Sequence, residues 1–249
     1  GRVDQERGMQ REERMDTKSL KFKETTPAEL LGPLNEVERK HAPRALYVAG
    51  DISLCRNGAR VSVIGTREVS PAGVKRTQDL VRMLVERGAI VVSGLARGVD
   101  THAHSTAIEA GGRTIAVVGT PLDQFYPREN EKLQRKIMAE HLAISQFPLG
   151  SPAERNNIAI RNRTMALISH ATVIVEAGEG SGTLHQGWEA LRLGRPLFLL
   201  ESLVKRTELK WPREMVGYGA QVLTRDNIDV LSECLPQEIL SGEASALPF

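Results

Sequence analysis

Short runs of β-branched and aliphatic residues recur along the chain, separated by longer stretches whose apolar residues fall at helical spacing. The runs at 61–64, 89–93, 114–118, 142–146, 172–176 and 196–200 predict strands. Their nearly continuous apolar character is what a sheet buried on both faces requires. Between the first two, residues 71–87 open with Pro71 at a first-turn position and place Val74, Leu80, Val81, Leu84 and Val85 at helical spacing. The stretch stops at Gly88, a natural C-cap. Similar patterns predict helices over 100–110, 131–140, 161–168 and 184–193. Strand and helix in alternation mean parallel pairing through right-handed crossovers. The expected class is therefore α/β, a doubly wound, mostly parallel sheet with helices on both faces.

The two ends follow a different pattern. Residues 1–24 hold seven basic and six acidic residues and few apolar ones, too little apolar surface to offset the entropy of ordering. With a short helix expected over 28–40, bracketed by Pro27, Pro33 and Pro43, this part reads as a charged, flexible arm over 1–43. The main domain is expected over 44–235. Beyond residue 200 a polar, basic stretch at 205–213 precedes a last strand at 219–223, a last helix at 227–234 and a loose tail at 236–249.

Composition narrows the partners. Of 249 residues, 33 are Lys or Arg and 31 Asp or Glu, a net charge of +2, so any anion site must be local rather than spread over the whole surface. Cys55 and Cys234 are the two cysteines, too few and too far apart for a disulfide framework or a zinc cluster, which favours a reducing compartment. No apolar run approaches the roughly 18 residues of a membrane span, and no signal-peptide core is visible. The cytoplasm, with no membrane partner, is the expectation.

Chemistry concentrates at the expected strand ends, where open parallel sheets bind ligands. The first strand runs into Gly65-Thr66-Arg67 with Ser70 ahead of the helix, and the second into Ser93-Gly94-Leu95-Ala96-Arg97-Gly98. The third runs into Gly119-Thr120, and the fifth into Gly178-Glu179-Gly180-Ser181-Gly182-Thr183. Glycine lets the backbone approach an anion, hydroxyls donate to phosphate oxygens, and each following helix N-terminus adds N–H groups. Together the four loops predict a phosphate site. No GxGxxG and no GxxxxGK[ST] occurs, which argues against a dinucleotide enzyme or a Walker-type ATPase.

Arg67, Arg97, Arg128, Arg155, Arg161 and Arg163 fall in or near these loops, and Phe125-Tyr126 stands beside them in a chain with 4% aromatics. Guanidinium groups match phosphate, and aromatic rings stack on unpaired bases. His102 and His104, two residues apart, would point about 200° apart on a helix, poor geometry for one metal. No metal or cofactor is expected.

The ordered motifs Val63-Ile64-Gly65-Thr66-Arg67-x-x-Ser70, Ser93-Gly94-Leu95-Ala96-Arg97-Gly98-Val99-Asp100, Gly119-Thr120, Tyr126-Pro127-x-x-Asn130, Phe147-Pro148-x-Gly150 and Arg161-Asn162-Arg163 resemble the DprA/Smf family of DNA-processing proteins. Leu46-Tyr47-x-x-Gly50 fits the same pattern. The resemblance implies an extended Rossmann-like domain that binds single-stranded DNA, forms a homodimer and assists a RecA-type recombinase during natural transformation or recombination. It implies no chemical step. Matched motif by motif, it gives the phosphate-contacting roles to Gly65, Thr66, Arg67 and Arg97, with Tyr126, Asn130, Arg161, Asn162 and the Ser181-Gly182 turn completing the channel.

One stretch departs from that family. Gly180-Ser181-Gly182-Thr183-Leu184-His185-Gln186-Gly187-Trp188-Glu189 resembles the Gly-Gly-x-Gly-Thr-x-x-Glu signature of the cytokinin-activating phosphoribohydrolases, but places Gln186 where that signature has its acid. The alternative reading is thus a nucleotide-binding enzyme using Glu189, Glu179 and Arg163, or a nucleotide sensor in a defence system. An amide cannot replace a carboxylate base, which weakens the hydrolase reading.

Overall fold

The computed structural model describes residues 20–236 and builds them around one nine-stranded sheet. The strands are β1 (Phe22–Thr25), β2 (Leu46–Gly50), β3 (Arg60–Ile64), β4 (Ile90–Ser93), β5 (Thr114–Val117), β6 (Leu142–Ser145), β7 (Ala171–Ile174), β8 (Leu197–Leu200) and β9 (Gln221–Leu223). Their order across the sheet is β1-β2-β6-β5-β4-β3-β7-β8-β9. From β6 to β9 every pairing is parallel, while β2 joins β6 and β1 joins β2 antiparallel. The expected doubly wound α/β class is what the chain forms.

Alternate strand residues supply two cores. Val92, Ile115, Leu142 and Ile174 point to one face, where they meet Met165 and Ile168 of α6 (Asn157–Ile168), Ala190 of α7 (Thr183–Arg192) and Met215. Val61, Val63, Val91 and Val173 point to the other, against Leu80 and Leu84 of α3 (Pro71–Glu86) and Val99 and Ala103 of α4 (Val99–Glu109). That second layer continues with Ile137 and Met138 of α5 (Glu131–Glu140) over Ala116 and Ala143. Each fully buried aliphatic side chain contributes about 1.5–3 kcal/mol, so the two layers fix the strand register firmly.

The winding positions the site. From β3 the chain steps outward through β4, β5 and β6 with α3, α4 and α5 on one face; α6 then carries it back across the other face to β7, on the opposite side of β3. The carboxyl ends of β3 and β7 therefore flank the point where the winding direction reverses, where a crevice opens in such sheets.

Several expectations need correction. The arm over 1–43 is not wholly an arm: from Phe22 it joins the sheet as β1, paired with β2 through Phe22 opposite Ala49. The helix expected over 28–40 is two short ones, α1 (Pro27–Leu31) and α2 (Glu36–Arg39), divided at Gly32-Pro33. Each is opened by its own N-terminal capping box, Thr26 with Glu29 and Asn35 with Glu38. The polar stretch 205–213 buries Leu209 and Trp211, and Trp211 opens α9 (Trp211–Gly217), after the short α8 (Glu201–Val204). The final helix, α10, is Ile228–Glu233. Expectations for residues 1–19 and 237–249 lie outside the described residues. Among the described residues no helix is long and apolar enough to cross a membrane.

Candidate nucleic-acid interface

The four glycine- and hydroxyl-bearing loops follow β5, β4, β3 and β7, which are consecutive in the sheet although not consecutive in the chain. They form one edge of the molecule with two adjoining concavities, of about 650 and 440 Å³, that share Arg67, Glu68, Ala96, Ile158 and Arg161 as their common wall.

Within the loop after β3, Gly65 is required by space. A Cβ there would come within 2.7 Å of the Glu176 carbonyl oxygen and 2.6 Å of Val99 Cγ2. Thr66 N–H donates to Glu176 O at 2.7 Å and Val99 N–H to Thr66 O at 3.1 Å, tying three loops together. This closeness leaves Arg67 exposed on the shared wall. Ser70 does not face the groove as a donor: its hydroxyl donates to Glu176 Oε2 (2.7 Å) and accepts from Gly73 N–H as the cap of α3. The phosphate role expected for Ser70 is therefore replaced by a structural one.

Below the loop after β4 lies a buried polar floor. Arg161, on α6, donates from Nη1 to Gly94 O (2.6 Å) and Val117 O (3.0 Å) and from Nε to Asn162 Oδ1 (2.9 Å). Gly94 lies so close that a Cβ would come within 2.5 Å of Arg161 Nη1. Buried Asp100 sits beside this guanidinium; burial pushes its carboxyl up, opposed by the charge of Arg161, while burial lowers Arg161 and Asp100 opposes that. Asn162 Nδ2 donates to Gly182 O at 3.0 Å and so holds the loop after β7. Asn130, expected in the channel, is buried instead: its Nδ2 donates to Leu95 O and Thr101 Oγ1, both at 2.9 Å. Leu95 has φ 60°, unusual for a residue with a side chain, and its carbonyl is the one Asn130 holds.

The larger concavity carries the exposed chemistry. Arg97 is exposed and paired with Glu129; exposed Arg155 lines the same concavity, as do Gly119 and Thr120, and Thr120 Oγ1 is buried with no hydrogen-bond partner among the described residues. Tyr126 is 62% exposed, whereas Phe125 is half-buried under the Arg135 guanidinium, 4.4 Å from its ring centre. Arg128 and Arg163 are exposed but line neither concavity.

Ser181, Gly182 and Thr183 line the smaller concavity, and Thr183 Oγ1 donates to Gly65 O at 3.1 Å. The alternative catalytic set does not assemble. Glu189 is buried in a two-bond pair with Arg192 and Glu179 accepts from the backbone of Lys210 and Trp211. Only Glu179 of these borders the concavity. Sequence reasoning passed over Gln186, treating it as a lost acid; it is 1% exposed and lines this concavity. His104 is buried against Thr114 Oγ1, and burial pushes it down to about 3.

The family profile described as DNA recombination-mediator protein A matches residues 24–235. Protein Smf of Synechocystis is 37% identical over 212 residues, covering 81% of this chain and 53% of that protein. DNA processing protein DprA of Streptococcus pneumoniae is 34% identical over 192 residues, covering 77% of this chain and 67% of the relative. The chain thus spans about half to two thirds of the length of these relatives. The solved S. pneumoniae DprA structure superposes with a TM-score of 0.73 at 31% identity, over 86% of this chain and 74% of that one. DNA processing protein A of Helicobacter pylori, described for its single-stranded DNA binding mode, gives 0.74 at 26%, over 88% and 99%. A molybdenum cofactor binding protein from Rippkaea orientalis shares the fold alone, at 17% identity and a TM-score of 0.52 over 72% of this chain and 98% of that one.

Proposed function

This chain belongs to the DNA recombination-mediator protein A family, and on that premise we propose that it is a DNA-processing protein that grips single-stranded DNA along the carboxyl edge of its sheet. The observation that carries the reading is the run of four adjacent strand-end loops, which sets exposed Arg67, Arg97 and Tyr126 along one groove that exposed Arg155, ahead of α6, also lines, in a chain whose net charge is +2. The arginines pair with phosphates and Tyr126 stacks on a base, a combination that holds a single strand without reading its sequence. Glu129 must release Arg97 for that arginine to take part, so Arg67 and Arg155 carry the larger share.

Assistance to a RecA-type recombinase and a homodimeric state follow from the family resemblance, and a cytoplasmic location from the cysteine usage; these complete the proposal. No reaction is proposed, because the acids of the alternative set are engaged in structural pairs.

Titration of fluorescent oligothymidine at rising salt tests the grip. Three phosphate contacts give a slope of log affinity against log salt of about −2. Arg67→Ala is expected to weaken binding roughly tenfold or more without lowering the melting temperature. Affinity independent of salt, or unchanged in Arg67→Ala, would falsify the reading. Mass in solution and capture of purified recombinase test the homodimer and the partner.

A further inference from the structure

Asn130 stands one residue ahead of α5, at the N-cap, where an asparagine side chain ordinarily accepts a backbone N–H of the first turn and stabilises the helix. Here its side chain makes no such bond. The buried amide is spent on the loop after β4 instead, donating from Nδ2 to Leu95 O and Thr101 Oγ1. Thr101 Oγ1, in the first turn of α4, in turn donates to Ala96 O at 2.7 Å. One side chain thereby holds two consecutive carbonyls, the first directly and the second through Thr101.

Both carbonyls belong to the segment that presents Arg97. Among the described residues Leu95 is the one non-glycine residue with a positive φ, 60°, a conformation that persists only where its surroundings over-determine it. Tyr126 lies on the same turn as Asn130, closed by Asn130 N–H donating to Pro127 O at 3.0 Å, and Ala96, Arg97, Tyr126 and Pro127 all line the larger concavity. At the surface the two segments meet again through Arg97 and Glu129, an exposed pair of little worth that a phosphate taking Arg97 must break. The Asn130 bonds lie beneath that exchange and stay intact through it.

We propose that Asn130 is a positioning residue: it forgoes capping α5 in order to hold the Tyr126 turn and the Arg97 loop in register, so that the stacking ring and the phosphate-pairing guanidinium act on a strand as one unit. The proposal rests on the reading of this groove as a single-strand site. A helix start without its favourable cap and a backbone held at an unfavourable φ are both local costs, and such departures concentrate at functional sites. An Asn130 that served stability alone would lower the folded fraction without singling out Tyr126 and Arg97.

Oligothymidine binding by Asn130→Leu, close in shape but without the donor, tests this in double-mutant cycles with Tyr126→Ala and Arg97→Ala. Arg67→Ala, on a loop anchored to Glu176 O through Thr66 N–H, is the outside reference. Asn130→Leu is expected to weaken binding, and in its background the losses from Tyr126→Ala and Arg97→Ala shrink by roughly 2- to 150-fold while Arg67→Ala keeps its full effect. Thr101→Val, which removes the link to Ala96, is expected to act in the same direction and Thr101→Ser to restore wild-type behaviour; this pair carries the test should Asn130→Leu not fold. Amide hydrogen exchange on the free full chain gives a readout without DNA: the substitution is expected to speed exchange over 95–98 and 127–131 together and to leave 178–183 unchanged. If oligothymidine does not bind the wild-type chain while both segments loosen together, the strand reading falls and the coupling of the two segments stands. Additivity with all three substitutions, or faster exchange in one segment alone, overturns the proposal.

Discussion

Replacing Arg161 by methionine separates the groove's floor from its gripping surface. The guanidinium donates to the carbonyls of Gly94 and Val117 and to Asn162 Oδ1, and its charge faces the buried Asp100 carboxyl. Removing one partner from such a buried charged network costs about 3–5 kcal/mol, because the groups left behind keep their desolvation penalty. For a chain of this length that corresponds to a melting temperature lower by roughly 6–20 °C. The loss has a pH signature. Burial already raises the Asp100 carboxyl and Arg161 opposes that rise, so the variant raises it further. An acid raised in the folded state takes up its proton more readily there. Its penalty is absent below the unfolded value and grows as pH climbs through the folded one. The deficit relative to wild type must therefore be larger at pH 8 than at pH 5. Urea unfolding followed by the fluorescence of Trp188 and Trp211 measures both. A deficit under about 1 kcal/mol, or one larger at pH 5, refutes the assignment of Arg161 to the floor.

Tyr126→Ala removes an exposed ring, so it is expected to weaken oligothymidine binding roughly 5- to 150-fold, by anisotropy, and to leave thermal stability unchanged. His170 accepts the Arg60 N–H at Nδ1 (2.9 Å), and burial, with Arg60 and Arg195 nearby, pushes it down to about 3. A base lowered in the folded state contributes stability above its unfolded value near 6.5 that is lost as pH falls toward 3. His170→Asn keeps an acceptor without titrating and should flatten the acid side of a melting-temperature profile; an unchanged slope from pH 7 to pH 4 would show that His170 is not responsible.

The parallel strands were legible because burial on both faces leaves a nearly continuous apolar run, as at Val61–Ile64 within β3, broken only by the buried Ser62. β1 was not, since Phe22-Lys23-Glu24-Thr25 is an edge strand with only Phe22 and Thr25 partly buried, and its polar residues resemble those of the arm before it. α6 was expected from Arg161 but starts at Asn157, because the helix enters beneath the groove with polar residues, Asn157, Arg161 and Asn162, buried along it. A helix buried on polar as well as apolar sides leaves no stripe for periodicity to find. Trp211 was hidden by its neighbours Lys210 and Arg213, exposed on either side of a buried ring.

The loops that build the groove were legible one at a time, but their adjacency was not: the order β5-β4-β3-β7 arises from α6 crossing the sheet, an event no local pattern encodes. Nor does the sequence tell an arginine that grips from one that supports. Arg67, Arg155 and Arg161 all sit near strand ends, yet the first two are exposed and the third is buried against the carbonyls of Gly94 and Val117 at the ends of β4 and β5. Where two parallel strands end together, a guanidinium can meet both carbonyls, while Gly94 leaves no Cβ in its way. Held there, the charge of Arg161 lies under both concavities and is screened less than that of a surface lysine. On the proposed function, the pairing of a buried cation below with exposed ones above is how a chain of net charge +2 would attract a polyanion at this edge.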